Sequence, residues 1–173
     1  MASQNLSAQN YLDLKSKYVQ DLSNTFSQYA NLMYGEQGGG YITIHNNTNE
    51  NGTRYNFSIK MNNDGSDGIK RAKILAFNYL LLKNGKHKFD FIIMDNKVFY
   101  GADFGALCRF IKFIFNQDDN NQYIFTINQS EYDAIKKEFN NDVLFDSIVE
   151  QNIKIRLGSN EKERLLGQII DLQ

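Results

Sequence analysis

The chain has 173 residues, of which 42% are hydrophobic, with a formal net charge of -1 and a pI near 6.1. This length fits one domain with at most an appendage, and the apolar fraction is sufficient for a core. The near-neutral charge excludes a general nucleic-acid coat, which needs an excess of Lys and Arg. The single cysteine, Cys108, excludes a disulfide framework, and we expect it to be a small buried hydrophobe. No segment resembles a signal peptide or a membrane span, so we expect a soluble, cytoplasmic protein.

The N-terminal region divides into two parts. Residues 1–9 are small and polar, and we expect them to be a frayed leader. Residues 10–34 have a helical pattern in which one apolar position recurs every seven residues, at Leu12, Val19, Phe26 and Met33. Such a stripe is typical of an amphipathic helix lying on a domain and equally of the end of a coiled coil that enters from outside. Both interpretations stay open.

A glycine-rich break at residues 35–40 ends the helix and leads into two alternating segments, residues 41–45 and 55–61. Their apolar and polar residues alternate with the period of a strand, and the polar run between them contains Asn51-Gly52. The pattern predicts an antiparallel hairpin. The glycine run follows a helix and lacks a Gly-Lys-Ser/Thr ending, so it does not qualify as a phosphate-binding loop.

The stretch from Ser66 to Asn96 organises the rest of the chain. Ser66 is a good N-cap for the apolar helix that follows, and Asp67 suits its first turn by charge. Residues 89–94 are apolar except for Asp90, which predicts a central parallel strand covered on both faces. Asp95 stands just beyond the end of this strand, where ligands bind in open α/β sheets. The plainer interpretation of the helix is a capped core helix with a solvated basic first turn.

The remaining chain continues the α/β alternation. A helix beginning at Ala102 or Asp103 precedes a second buried strand, residues 123–127, which ends at Asn128. A helix over residues 131–139, a short amphipathic piece over 143–149 and two strands over 153–157 and 165–170 complete the pattern. We therefore predict an α/β fold over residues 35–173, with an antiparallel hairpin, a mostly parallel sheet and flanking helices, preceded by the helix of residues 10–34.

The order of these motifs resembles the C-terminal lobe of an ABC-type ATPase head of the SMC/RecN kind. More narrowly, it resembles an uncharacterised bacterial family found at the C-terminal end of such coiled-coil ATPases. The resemblance covers roughly residues 22–170, and the order and spacing of the motifs carry it. It implies that residues 10–34 are the end of a coiled coil.

The resemblance implies roles for several residues. Ser66-Asp67-Gly68 would be the signature-motif turn that binds the γ-phosphate of a nucleotide held by the opposite head. Asp67 replaces the expected glycine, and Lys70 and Arg71 can offset its charge. Asp95 would be the Walker B aspartate that orients Mg²⁺.

The family pattern also covers the residues that follow. Asn96 stands where active members of the wider class carry a glutamate that positions the attacking water, and an amide cannot accept a proton. Hydrolysis would therefore be slow, absent or dependent on Asp103, which resembles the D-loop aspartate. Asn128 stands at the position of the switch-loop residue.

The 173 residues contain no Gly-Lys-Ser/Thr phosphate loop. In the resembled architecture that loop lies in the N-terminal lobe, so the chain would be half of a head and would not hydrolyse ATP alone. The resemblance then implies ATP and Mg²⁺ as cofactors of the complete head only. It implies two partners, the Walker A lobe and a second head. It also implies that the ATP-switched machine acts on DNA and does not involve a membrane.

Two other functions fit the same residues. The chain could be a non-catalytic dimerisation or docking module that pairs through the helix of residues 10–34. It could also be a small metal-dependent hydrolase in which Asp95 and Asp103 hold Mg²⁺.

Overall fold

A computed structural model describes residues 2–47, 53–139 and 144–158 of the chain. Its helices and strands are α1 Ala2–Tyr34, β1 Gly40–Asn46, β2 Tyr55–Met61, α2 Asp67–Asn84, β3 Phe91–Met94, α3 Phe104–Phe115, β4 Gln122–Phe125, α4 Gln129–Glu138 and α5 Leu144–Ile148, with short 3₁₀ turns at Gly35–Gly38, Asn96–Val98 and Glu150–Asn152. None of the helices in these ranges combines the length and the apolar character that crossing a bilayer demands. The order of elements confirms the predicted α/β fold with a long N-terminal helix.

The first helix is longer than the sequence predicted. α1 begins at Ala2, so the expectation of a frayed leader over residues 1–9 is wrong from residue 2 onward. No glycine or proline interrupts the sequence between Ala2 and Tyr34, so nothing breaks the ladder of backbone hydrogen bonds. The helix ends where Gly35 adopts a φ of 67°, a conformation that glycine takes without steric cost.

The two halves of α1 have different surroundings. In the C-terminal half, Phe26, Ala30 and Met33 are fully buried in the core. This half is an amphipathic helix lying on the domain, as the first of our two interpretations predicted. In the N-terminal half, Tyr11, Leu14 and Tyr18 are exposed. The coiled-coil interpretation, made for residues 10–34 as a whole, stays a prediction.

The predicted hairpin is present, and it lies along α1. β1 and β2 pair antiparallel from Gly40 opposite Met61 to Asn46 opposite Tyr55, while the connecting residues 48–52 lie outside the described ranges. Along β1, the Ile42 backbone N–H donates to the Ser23 hydroxyl at 2.9 Å, and the Gly40 N–H donates to the Ser27 hydroxyl at 3.4 Å. Four residues of helix rise about 6 Å and two residues of strand about 7 Å, so the two hydroxyls match two outward N–H groups of the strand.

Helices α2 and α3 form the body of the core with α1. Ser66 caps α2 as predicted, because its hydroxyl accepts from the Ile69 N–H at 3.3 Å. Tyr79 of α2 is buried against the aromatic rings of α1, α3 and β4, which are Tyr29, Phe110, Phe113 and Tyr123. Cys108 of α3 is buried as expected, and burial raises the pKa of its thiol to about 12.

β3 and β4 form a parallel pair, but β3 is not the central, doubly covered strand that the sequence predicted. The two strands pair from Phe91 opposite Gln122 to Met94 opposite Phe125. Met94 is buried and Ile92 packs against the core, whereas Phe91 is 43% exposed and Ile93 is 62% exposed. The apolar run indicated two covered faces, but within the described ranges only the face toward the core is covered, and each strand has one neighbour.

The C-terminal region departs from the prediction in one further element. α4 begins after Asn128, and α5 follows within the piece predicted to be amphipathic. Residues 153–157, predicted to be a strand, belong to no strand, and Ile155 is 71% exposed. A strand needs a neighbouring ladder of backbone groups, and the described ranges offer none here. Its predicted hairpin partner, residues 165–170, lies outside those ranges.

We predict that the Ser23 hydroxyl stabilises the attachment of the hairpin to α1. Ser23→Ala leaves the part-buried Ile42 N–H without its acceptor, whereas Ser16→Ala removes only a bond to the helix's own Asp13 carbonyl. Both changes alter helix propensity equally, so the difference between them isolates the contact. We expect Ser23→Ala to lower the free energy of unfolding by about 1 kcal/mol relative to Ser16→Ala in urea denaturation. Equal midpoints for the two variants would contradict this assignment.

Candidate functional site

The carboxyl ends of β3 and β4 bring Asp95 and Thr126 together. Because the strands are parallel, their ends meet at one edge of the pair. The ladder extends one step beyond the strands, since the Thr126 N–H donates to the Met94 carbonyl at 3.1 Å. The Thr126 hydroxyl then donates to Asp95 Oδ1 at 2.9 Å.

Asn96 and Asn128 join the same group. The Asn96 backbone N–H donates to the Thr126 hydroxyl oxygen at 3.1 Å, and Asn96 Oδ1 accepts from the Asn128 backbone N–H at 3.2 Å. The structure thus unites three residues that the sequence singled out, Asp95, Asn96 and Asn128. Thr126 was missed, because its place beside Asp95 depends on the register of β3 against β4. We call these four residues the strand-end cluster.

Electrostatically, the strand-end cluster presents an ionised carboxylate to solvent. Asp95 is exposed, and the Thr126 hydroxyl, followed by the Asn96 backbone N–H, holds the pKa of its carboxyl below the ordinary value. The Asn96 and Lys97 backbone N–H groups also face the Asp95 carboxylate, which is exposed and can therefore meet a cation or its water shell.

A second group of predicted residues gathers where the first turns of α2 and α3 meet. A Cβ built on Gly68 would lie 3.3 Å from the Asp103 backbone nitrogen and 3.5 Å from the Tyr34 hydroxyl, so only a glycine permits this approach without adjustment. The Asp103 carboxylate accepts from the Ala106 N–H at 3.0 Å and thereby caps α3. We call Tyr34, Gly68 and Asp103 the helix-start junction.

The start of α2 carries the predicted pair of opposite charges. Lys70 Nζ lies 3.0 Å from Asp67 Oδ1, and this bond holds the pKa of the Asp67 carboxyl below its ordinary value, with a smaller contribution from Arg71. The negative charge that Asp67 brings is therefore balanced by its neighbours. Within the described ranges, the Asp67 and Gly68 backbone N–H groups have no acceptor, as expected for the first turn of a helix.

Tyr34 is a further residue that sequence reasoning missed. Its hydroxyl oxygen is buried and has no hydrogen-bond partner in the part of the chain that the structure describes. Burial, and then the nearby Asp103 carboxylate, raise the pKa of the Tyr34 hydroxyl, while Arg109 opposes them. Arg109 is itself fixed, since its Nε donates to the Met33 carbonyl at 2.7 Å. No local sequence pattern marks Tyr34, because its neighbours come from two distant helix starts.

The two groups are separate. No hydrogen bond or ion pair among the described residues joins the strand-end cluster to the helix-start junction. No group of three His, Cys, Asp or Glu side chains in those residues is placed to hold a metal ion. Asp103 caps α3. Asp95 and Asp103 therefore do not form the shared set of metal ligands that the metal-dependent hydrolase hypothesis requires.

We predict opposite outcomes for alanine at two glycines that occupy equivalent positions in their helices. Gly105, like Gly68, is the second residue of its helix, but a Cβ there meets only side-chain tips, the nearest being Glu138 Oε1 at 3.1 Å. Gly105→Ala should raise the free energy of unfolding, by up to about 1 kcal/mol, through helix propensity. Gly68→Ala should not raise the free energy of unfolding, because the Asp103 backbone obstructs the new methyl group. Equal stabilisation in thermal denaturation would contradict the close approach at Gly68.

Comparison with solved structures finds similar folds at low identity. One, described as "Structural biochemistry of ATP-driven dimerization and DNA stimulated activation of SMC ATPases", is 17% identical with a TM-score of 0.49, covering 71% of this chain and 76% of that chain. Another, the Smc head domain with an extended coiled coil bound to the C-terminal domain of ScpA from Pyrococcus furiosus, is 15% identical with a TM-score of 0.46. That match covers 75% of this chain and 33% of that chain.

Among curated proteins, none matches. A family model described as "Uncharacterised protein conserved in bacteria (DUF2326)" matches residues 29–169, which is most of the chain. This agrees with the resemblance to an uncharacterised bacterial family that the order of motifs indicated. The chain belongs to the DUF2326 family.

Proposed function

We propose that this chain is the C-terminal half of an SMC-like ATPase head, and that it acts only with an N-terminal lobe that carries the phosphate loop. In this proposal Asp95 has the Walker B-type role and Ser66-Asp67-Gly68 the signature-type role in an ATP-switched machine that acts on DNA. The observation that carries the proposal is the incomplete sheet formed by β3 and β4.

The incompleteness is visible in exposed apolar side chains. An isolated two-stranded sheet is at best marginally stable in water, and a parallel sheet is normally covered on both faces. Here Phe91 and Ile93 are exposed on β3, as are Phe89 just before it and Ile124 on β4. Phe89, Phe91 and Ile93 line an apolar groove beside the sheet together with Leu81 and Leu82 of α2. An apolar surface of this kind is typical of an interface, and additional strands from the missing lobe would complete the sheet.

The segment after α5 supports the same conclusion. Residues 153–157 have strand-like alternation, yet Ile155 and Leu157 are exposed and no strand pairs with them within the described ranges. In an assembled head, a strand inserted by the N-terminal lobe would provide the ladder that this segment lacks. The predicted strand would then form on assembly.

The strand-end cluster suits the metal-facing part of such a site. Mg²⁺ in nucleotide-dependent proteins commonly uses one or two carboxylates and completes its shell with water and phosphate oxygens. Asp95 offers one ionised and exposed carboxylate with a fixed orientation, and so fits that role. When bound, Mg²⁺ would supply charge neutralisation at the phosphoryl group. Thr126 would hold the carboxylate, and Asn96 cannot remove a proton from water.

The separation of the two groups also fits this function. In the resembled ATPases the Walker B and signature elements face two different nucleotides, one in the same head and one in the opposite head. In this chain Asp95 belongs to the strand-end cluster and Gly68 to the helix-start junction, and neither bonds to the other. A dimer of heads would therefore use the two groups on separate surfaces.

The alternative is a non-catalytic dimerisation or docking module, and one observation favours it. Tyr11, Leu14 and Tyr18 are exposed at three- and four-residue spacing, so they share one side of α1 and form an apolar stripe, in which Tyr11 also contacts the Tyr55 ring. Leu14 is 82% exposed, so Leu14→Asp does not disturb the core. If the isolated chain is a constitutive dimer and Leu14→Asp makes it monomeric, the result favours the docking function over the ATPase function.

We predict that Asp95→Ala abolishes ATP turnover in the chain co-purified with its phosphate-loop lobe, because the metal loses its fixed carboxylate. Asp90→Ala removes an equal charge from an exposed position just before β3 and is the matched control. Turnover by Asp95→Ala should fall at least 100-fold, on the order expected when a positioned charge at a reacting phosphate is lost. Circular dichroism of the variant chain should match the wild type. Turnover that persists in Asp95→Ala would remove Asp95 from the metal-facing role.

We predict that Ile93→Asp prevents association with the phosphate-loop lobe and leaves the chain itself folded. Ile93 is exposed in the isolated chain, whereas a charge there would be buried without a partner once the lobe covers the sheet. Association measured by calorimetry should weaken at least tenfold, which corresponds to about 1.4 kcal/mol. Leu14→Asp, on the exposed side of α1, is the control and should bind as the wild type. Unchanged association of Ile93→Asp would place the lobe elsewhere.

A further inference from the structure

The orientation of the Asn96 amide is fixed by its neighbour. The Asn128 backbone N–H can only donate, so the Asn96 atom that faces it at 3.2 Å is the oxygen Oδ1. The NH₂ group of the same amide therefore points away from Asn128. Among the described residues nothing accepts a hydrogen bond from this NH₂ group. Asn96 thus has its acceptor occupied and its two donors available.

Thr126 holds Asn96 from the other side. Its hydroxyl accepts from the Asn96 backbone N–H and donates to Asp95 Oδ1, so both capacities of the hydroxyl are used. A β-branched side chain has few χ1 choices, which limits the entropy lost on forming these bonds. The Asn96 backbone is tied to the end of β4, and its side chain is tied to the start of α4.

Asn128 adds a second amide beside the first. Asparagine is among the best N-caps, yet the Asn128 side chain makes no capping bond to α4. Its amide makes no hydrogen bond to the described residues either. Two residues with amide side chains are therefore neighbours at the edge where β3 and β4 end.

The chemistry of this pair favours an anionic oxygen. An amide NH₂ group donates and cannot take up a proton. The nearby charges are the Asp95 carboxylate and the exposed Lys97 ammonium, which lowers the pKa of the Asp95 carboxyl. A phosphoryl group that arrives with a cation balances the Asp95 charge and offers oxygens that accept from the amides.

We propose that Asn96 is an anion-binding residue, whose NH₂ group is aimed by Thr126 and Asn128 at a phosphoryl oxygen instead of at an attacking water. The identity of the ligand as the terminal phosphoryl group of a nucleoside triphosphate rests on the function proposed above. The donor arrangement is a property of this chain alone. Thr126 is the positioning residue of the arrangement.

The isolated chain tests the donor arrangement with inorganic phosphate and Mg²⁺ as the probe. The side-chain NH₂ resonance of Asn96 should shift on titration at millimolar phosphate, and sodium chloride of equal ionic strength should not shift it. Thr126→Val removes the hydroxyl and keeps the shape, so the shift should shrink, whereas Thr126→Ser should retain it. No phosphate-dependent shift, or an equal shift in Thr126→Val, overturns the proposal.

The chain assembled with its phosphate-loop lobe tests the ligand. Asn96→Asp keeps an acceptor for the Asn128 N–H and loses the NH₂ donors, so the affinity for the slowly hydrolysed ATPγS should fall about tenfold or more. The affinity for ADP, which lacks the terminal phosphoryl group, should not change. Unchanged ATPγS affinity, or equal losses for both nucleotides, overturns the proposal. If the wild-type assembly binds no nucleotide, the proposed function fails, and the phosphate titration alone still decides the role of Asn96.

Discussion

Burial of one side of α1 is the constraint on which the rest of the structure depends. Phe26, Ala30 and Met33 are fully buried, and β1, α2 and α3 all pack against this helix. The approach of β1 is so close that a Cβ on Gly40 would lie 2.6 Å from the Phe26 ring. Because interiors are packed to high density, removing this side of α1 would detach the hairpin and both core helices together. The site residues depend on it as well, since Tyr34 reaches the helix-start junction from the end of α1.

A second constraint is that two parallel strands cannot by themselves pair all of their backbone groups or cover both of their faces. Each strand of the β3–β4 pair has one neighbour within the described ranges, and the apolar residues of β3 divide between the core and solvent. Antiparallel sheets commonly leave one face to water, but their outward residues are then polar. Phe91 and Ile93 are not polar, so this surface has the apolar character that is typical of a contact surface. The strand-end cluster lies at the end of the same strands, so whatever covers the sheet also borders Asp95.

The sequence correctly predicted those features of the fold that interactions between nearby residues determine. Ser66 caps α2 as expected, because capping involves only the next three residues, and the hairpin follows from period-two alternation. The sequence also placed Asp95 and Asn128 just after two predicted strands, and the rule that ligands lie at the carboxyl ends of parallel strands singled out Asp95. It could not reveal that one face of β3 is open, because coverage depends on which elements are present to pack there. Thr126 and Tyr34 were missed for a similar reason. The position of Thr126 depends on strand register and that of Tyr34 on the meeting of two distant helix starts, and neither leaves a periodic pattern in the sequence.

The attachment of α1 to the hairpin along most of its length has a mechanical consequence. The Asn46 side chain donates to the Asn5 carbonyl at 3.0 Å near one end of the helix, and the Gly40 N–H donates to the Ser27 hydroxyl at 3.4 Å near the other. From Asn5 to Ser27 the helix rises about 33 Å. Two elements bonded over such a distance bend less than either would alone, so α1 and the hairpin should move as one stiff body. A rotation at the helix starts beside Tyr34 would therefore turn the helix and the hairpin together.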